Sequence, residues 1–154
     1  MIYLDLDQHL IESYEITLDL QNSIIDAAQT ALLLEHHTSA ANITIILSDD
    51  SQLQKLNFEF LHINTPTDVL SFPVDEKDPE TNELYLGDIV ISYPRALVQA
   101  AAGGHTVRDE LFLLVVHGVL HLLGYDHSQE GEKRAMWERQ SDILKELSCT
   151  ISPP

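Results

Sequence analysis

Apolar and acidic positions alternate from Ile2 to Leu6, the two-residue period of a strand with one buried face, and a short edge strand is predicted there. Between Leu18 and Leu34 the period changes. Leu20, Ile24, Ile25, Ala28, Ala31 and Leu32 recur at helical spacing, with Asp19 placed to cap a helix that lays one face on a sheet. Asn42 to Leu47 is β-branched and apolar, the pattern of a buried strand, and Ser48-Asp49-Asp50-Ser51 opens a helix over Gln52 to Leu61. His62 to Pro66 reads as a turn, Thr67 to Pro73 as a strand stopped by proline, and Asp75 to Glu83 as a solvated acidic connection. Tyr85 to Ser92 is the next strand, and Tyr93-Pro94 opens a helix to about Ala102 that Gly103-Gly104 ends.

Thr106 starts the helix that dominates the second half, with Asp109 and Glu110 in its first turns to suit the dipole. From Leu111 to Leu123 it is apolar on nearly every face, so it should be buried. A last helix follows Ser128, its expected cap. Met136, Trp137, Ile143, Leu144 and Leu147 turn inward there, while Glu130, Glu132, Lys133, Arg134, Glu138 and Arg139 form a solvated face. The predicted order is β-α-β-α-β-β-α-α-α, a mixed sheet packed with helices. Residues 1–150 are read as one domain and 151–154 as a frayed tail.

The buried helix carries chemistry that an apolar core does not need. His117 and His121 are four apart, one turn above the other on one face, where two ring nitrogens can converge on one ion. Gly124 allows the backbone to leave the helix and return, so that His127 approaches the same point. Two imidazoles inside a buried helix would otherwise leave nitrogens without partners. Three neutral imidazoles and an open fourth position describe a catalytic zinc site, one that lowers the pKa of bound water to about 7.

The spacing H-x3-H-x2-G-x2-H equals that of the metzincin peptidases except that Gly118 stands where they carry their general-base glutamate. A glycine within a helix suggests close approach of substrate or of a packed strand. His105 lies two to three turns from His117 along the helix axis and is excluded as a fourth ligand. The adjacent His36 and His37, at a helix end, are also left out of the site. No catalytic base is assigned: Asp68, Asp88 and Asp126 are candidates to hydrogen-bond a ligand or take a proton, with a turn-capping role preferred for Asp126.

Composition narrows the classes. The fraction of hydrophobic residues, 44%, against 21% charged, belongs to a folded globular chain. No stretch is long and apolar enough for a membrane span and the start lacks the pattern of a secretory signal, so a cytoplasmic location is expected. A lone cysteine, Cys149, excludes an internal disulfide. Net charge is −17, from 25 acidic and 8 basic residues, and argues against a general nucleic-acid binder. A local basic patch near the metal can still hold phosphates, since exposed charges are screened over about 8 Å; Arg95 and Arg108, then Lys133, Arg134 and Arg139, are the candidates.

His117 to His127, Thr67 to Pro73 and Gly87 to Ser92 together carry a resemblance. They are similar, in order, to the HGxLHLxGYDH, T-[ND]-V-L-S-F-P and G-D-I-x-I blocks of the YbeY family of bacterial single-strand-specific endoribonucleases. The resemblance covers roughly residues 42–147. It implies a zincin-like α+β fold with a metal-binding central helix, and one Zn2+ held by His117, His121 and His127. It further implies hydrolysis of single-stranded RNA in 16S ribosomal RNA 3′-end maturation and ribosome quality control, at the small ribosomal subunit with a ribosomal protein or assembly GTPase as partner. Leu61 departs from the pattern, which frequently has an arginine there. The alternatives are a metalloprotease-like hydrolase of another substrate, and a non-catalytic ribosome assembly factor with a structural metal.

Overall fold

The computed structural model describes residues 1–35, 41–149 and 151; His36, His37 and residues 152–154 of the tail lie outside them. Four strands, β1 (Ile2–Leu6), β2 (Ala41–Ser48), β3 (Val69–Lys77) and β4 (Leu84–Ser92), form one sheet in the order β1-β2-β4-β3. β1, β2 and β4 run parallel and β3 pairs antiparallel with β4, so the sheet is mixed as expected, with β1 on one edge. Six helices accompany it among the described residues: α1 (Gln8–Ser13), α2 (Leu18–Leu34), α3 (Asp50–Leu61), α4 (Tyr93–Gly103), α5 (Val107–Leu122) and α6 (Glu130–Glu146).

Alternation along the strands decides which face is covered. Ile43, Ile45 and Leu47 of β2, with Ile89 and Ile91 of β4, are fully buried. They meet α5, which packs between the sheet and α2, α4 and α6. α3 approaches β3 and β4 from the other side, where Leu56 and Phe60 line a cavity with Ile46, Phe72 and Val90. α5 is the centre of the core: Leu111, Val115, Val116, Val119 and Leu120 have no exposed surface. An apolar sequence on every face is what a helix enclosed by a sheet and three helices requires.

The structure corrects several local expectations. α1 was not anticipated; it is six residues long with one buried side chain, Leu10, too short to show a period. The cap of α2 is Thr17, whose hydroxyl accepts from the Leu20 N–H at 3.2 Å, and Asp19 lies within the first turn. Ser128 caps nothing: α6 begins at Glu130 after Gln129, and the Ser128 hydroxyl donates to Asp126. Met136 is buried, whereas Trp137 is 36% exposed with the Lys133 ammonium 4.5 Å above its ring. β3 does not stop at Pro73 but runs to Lys77, because it is an edge strand whose pairing shifts between Pro73 and Glu76. A missing N–H is tolerated at such an irregularity. Part of the predicted acidic loop is therefore exposed strand.

Two glycines let backbones approach. Gly87 has φ +145°, and a side chain there would collide with the Phe72 carbonyl across the strand pair. Gly118 faces β4: a Cβ on it would lie 2.8 Å from Ile89 Cγ2 and 3.0 Å from its Cδ1. Strand packing is thus the reason for a glycine where the peptidase spacing has glutamate. In an open helix Gly→Ala gains about 1 kcal/mol. Against Ile89 the added methyl overpacks the core, which costs about 1–3 kcal/mol. Gly118→Ala is expected to lower the denaturant midpoint of unfolding; a raised midpoint would show that Ile89 yields.

Candidate metal centre

His117 and His121 sit in the last two turns of α5 and His127 follows its end. The turn between them is built by backbone hydrogen bonds. Gly124 N–H donates to the His121 carbonyl and Tyr125 N–H to the Leu120 carbonyl, both at 3.0 Å, the Schellman arrangement with Gly124 at φ +100°. Asp126 then fixes the loop: its carboxylate accepts from the His127 N–H at 2.7 Å and from the Ser128 hydroxyl at 2.9 Å. Those two donors hold the carboxyl below its usual range. The turn role expected for Asp126 is the one it fills.

The three rings converge. One nitrogen from each lies within 4.8 Å of the others, and Nε2 of His117 is 3.1 Å from Nε2 of His121. Three ligands around zinc at about 2.0–2.1 Å place their nitrogens about 3.3 Å apart, so this donor set fits one such ion with little movement. His117 and His121 are half-buried and His127 is exposed, which leaves the cluster open on one side.

Gln140 of α6, only 1% exposed, decides the tautomer of His117. Its Oε1 stands 3.0 Å from His117 Nδ1 and can only accept, so Nδ1 carries the proton and Nε2 presents a lone pair to the cluster. Burial pushes the His117 pKa down, partly offset by the Gln140 hydrogen bond. For His121, burial and then the neighbouring His117 and His127 push it down to about 4. Both rings are held neutral at pH 7, the form that binds a cation.

The cluster opens into a cleft of about 570 Å³ lined by all three histidines, Asn57, Leu61, Ile63, Asp68 and Ser71, among others. Asp68 is its one carboxylate among the described residues, and Gln99 Nε2 donates to it at 3.2 Å. Gln99 also donates to the buried Glu110 at 2.7 Å, which in turn meets His105 Nε2 at 2.5 Å. His105 thus belongs to a support for Asp68 and stays outside the triad; Glu110 is a buried hydrogen-bonding residue as well as a favourable charge near the helix start. Asp88 is elsewhere. It accepts from the Tyr85 hydroxyl and lines the cavity beneath α3 with Asp7 and Ser48.

The expected basic patch does not form at the cleft: none of Arg95, Arg108, Lys133, Arg134 and Arg139 lines it. Arg95 clamps Asp50 through two bonds of 2.9 and 2.8 Å, and Arg139 pairs with Glu35 at 3.1 Å. Arg108 lies 4.7 Å over the Phe112 ring and Lys133 over Trp137. No lysine or arginine lines the cleft among the described residues.

The sequence pattern of the family described as Endoribonuclease YbeY matches residues 8–148. The chain belongs to this family. A family member from Geobacillus kaustophilus is 39% identical over 148 residues, spanning 92% of this chain and 95% of the relative. One from Persephonella marina is 44% identical over 122 residues, 78% of this chain and 80% of the relative. The solution structure of TM1509 from Thermotoga maritima superposes with a TM-score of 0.58 at 26% identity, covering 96% of this chain and 89% of the other.

Gln140 was missed in reading the sequence, although its spacing carried the signal: it falls between Met136 and Ile143-Leu144 on the inward stripe of α6. Gln140→Leu is expected to weaken divalent-metal affinity about 10- to 100-fold, measured by competition with a chromophoric chelator, while Gln140→Glu keeps the acceptor and retains binding. A second expectation concerns pH. The folded-state pKa values of His117 and His121 lie below the ordinary value of about 6.5, so over a falling pH the unfolded chain takes up protons first. Stability of the metal-free protein is therefore lost as pH drops from about 6.5 toward 4. Urea unfolding across that range should show a smaller loss in His121→Gln.

Proposed function

We propose that this chain is a metal-dependent endoribonuclease that hydrolyses single-stranded RNA and acts in the cytoplasm on the 3′ end of 16S ribosomal RNA, at the small ribosomal subunit. His117, His121 and His127 hold one divalent cation, zinc by the all-nitrogen donor set. The observation that carries the reading is the convergence of three ring nitrogens within 4.8 Å at an open cleft, in a chain of the Endoribonuclease YbeY family. The relatives' activity, that of an endoribonuclease, supplies the reaction; the ribosomal setting follows from the resemblance of the three sequence blocks.

When bound, a divalent cation at this position polarises a phosphoryl oxygen and acidifies an adjacent water. The chain's own residues supply orientation. Gln140 keeps the proton on His117 Nδ1, the Gly124 turn and Asp126 set His127, and the walls of α5 and β3 shape the cleft. Asp68, held by Gln99, is the carboxylate best placed to accept a proton within that cleft. Gly118 leaves no room for a peptidase-type glutamate.

The test uses metal-loaded protein against single-stranded RNA, duplex RNA and an unfolded polypeptide. Cleavage of the first alone, abolished by a chelator and by the triple replacement of His117, His121 and His127 with alanine, is the expected result. Loss of metal content in that variant should accompany loss of activity. Cutting that survives the triple replacement would assign the activity to a contaminant. Three intact substrates would favour an assembly factor with a structural metal, and a cut polypeptide a protease-like hydrolase.

A further inference from the structure

One wall of the cleft is formed by the end of α3 and the loop after it. Leu61 is 55% exposed and Ile63 49%, and both line the cleft alongside Pro66 and Pro73. Phe60, by contrast, is turned to the other side and packs edge-on against Phe72, with ring centroids 5.2 Å apart. Scattered apolar side chains on a surface need no explanation, but a contiguous rim beside a polar cluster marks a contact surface.

Charge restricts what that surface can hold. The chain carries −17, the cleft contains the Asp68 carboxylate, and no lysine or arginine lines it among the described residues. An RNA strand gripped at several phosphates would need cations there. Base faces carry no net charge and can be held by exposed apolar side chains whatever the base. Resting on the reading of the cleft as an RNA-cleaving site, we propose that Leu61 and Ile63 form an apolar rim on which unpaired nucleobases flanking the scissile phosphate pack. Substrate affinity then comes from base faces rather than from backbone charge. Selectivity for single strands follows, because a duplex hides the faces that the rim contacts.

Binding of a nuclease-resistant 2′-O-methyl phosphorothioate oligonucleotide to the metal-loaded full chain, read by fluorescence anisotropy, tests this. Between about 50 and 200 mM salt the Kd is expected to change less than about threefold, whereas three phosphate contacts would weaken it about 20-fold. Abasic replacement of successive nucleotides should raise Kd about fivefold or more. Leu61→Ser combined with Ile63→Ser should raise it similarly and abolish the further effect of abasic replacement. Val98→Ser, on α4 and 67% exposed, is the neutral control. Both rim side chains are about half exposed, so an unchanged thermal midpoint verifies that the double variant folds.

A steep salt dependence, or a double variant that binds as the wild type does, overturns the proposal. So does displacement by an apolar unfolded polypeptide at lower concentration than RNA, which would reassign the rim to protein substrates. Salt-insensitive, base-dependent binding without any RNA cleavage would strike the nuclease reading alone.

Discussion

A helix enclosed on all sides cannot carry bare imidazoles, and that constraint organises this molecule. α5 is buried by the sheet, α2, α4 and α6, and its last two turns place His117 and His121 where water reaches them from one side only. Burial lowers the proton affinity of both rings, the Gln140 amide occupies one nitrogen of His117, and the cluster nitrogens face each other, His127 and the open cleft. Across the 3.1 Å between His121 Nε2 and His117 Nε2 one neutral ring can donate its N–H to the other's lone pair, and a cation bound there takes the place of that proton. Burial keeps both rings neutral, the form that ligates a cation. Function here is a consequence of how the core was filled.

The same burial explains what the sequence made legible. The apolar run of α5, the four-residue spacing of its histidines and the turn glycine are local signals, and each has one structural solution. The strands β1, β2 and β4 announced themselves by alternation or by unbroken β-branched runs. What escaped is non-local or too short. Gln140 acquires meaning only when α6 folds back onto α5, twenty-three residues beyond its partner His117. α1 has one buried residue, and the continuation of β3 past Pro73 depends on the shifted pairing with β4. Two of the basic candidates escaped for a related reason: spacing showed where Arg95 and Arg139 lie along the chain, while their carboxylate partners Asp50 and Glu35 come from distant segments.

That sequestration matters for the electrostatics. Arg95 and Arg139 are joined to carboxylates, so each neutralises part of the acidic surface rather than offering a free charge to a ligand. Among the described residues no positive side chain lines the cleft, while Leu61 and Ile63 stand about half exposed on its wall. A polyanion approaching such a surface is repelled at long range and must be retained by short-range contacts.

The absence of the peptidase glutamate and the presence of Asp68 form one argument. In the H-E-x-x-H spacing the base stands on the helix, next to the first histidine. Here that helix lies so close to β4 that Ile89 occupies the space, and the Gly118 carbonyl accepts from the Ser71 hydroxyl at 3.3 Å, tying the helix to β3 as well. A carboxylate could therefore enter the cleft only from another element. β3 begins immediately after Asp68, and α4 supplies Gln99 to hold it, with Glu110 and His105 behind. The one carboxylate at the cleft among the described residues thus stands just ahead of the strand facing the histidine-bearing helix, so tight packing of α5 on the sheet and an acidic group at the cleft are compatible in one fold.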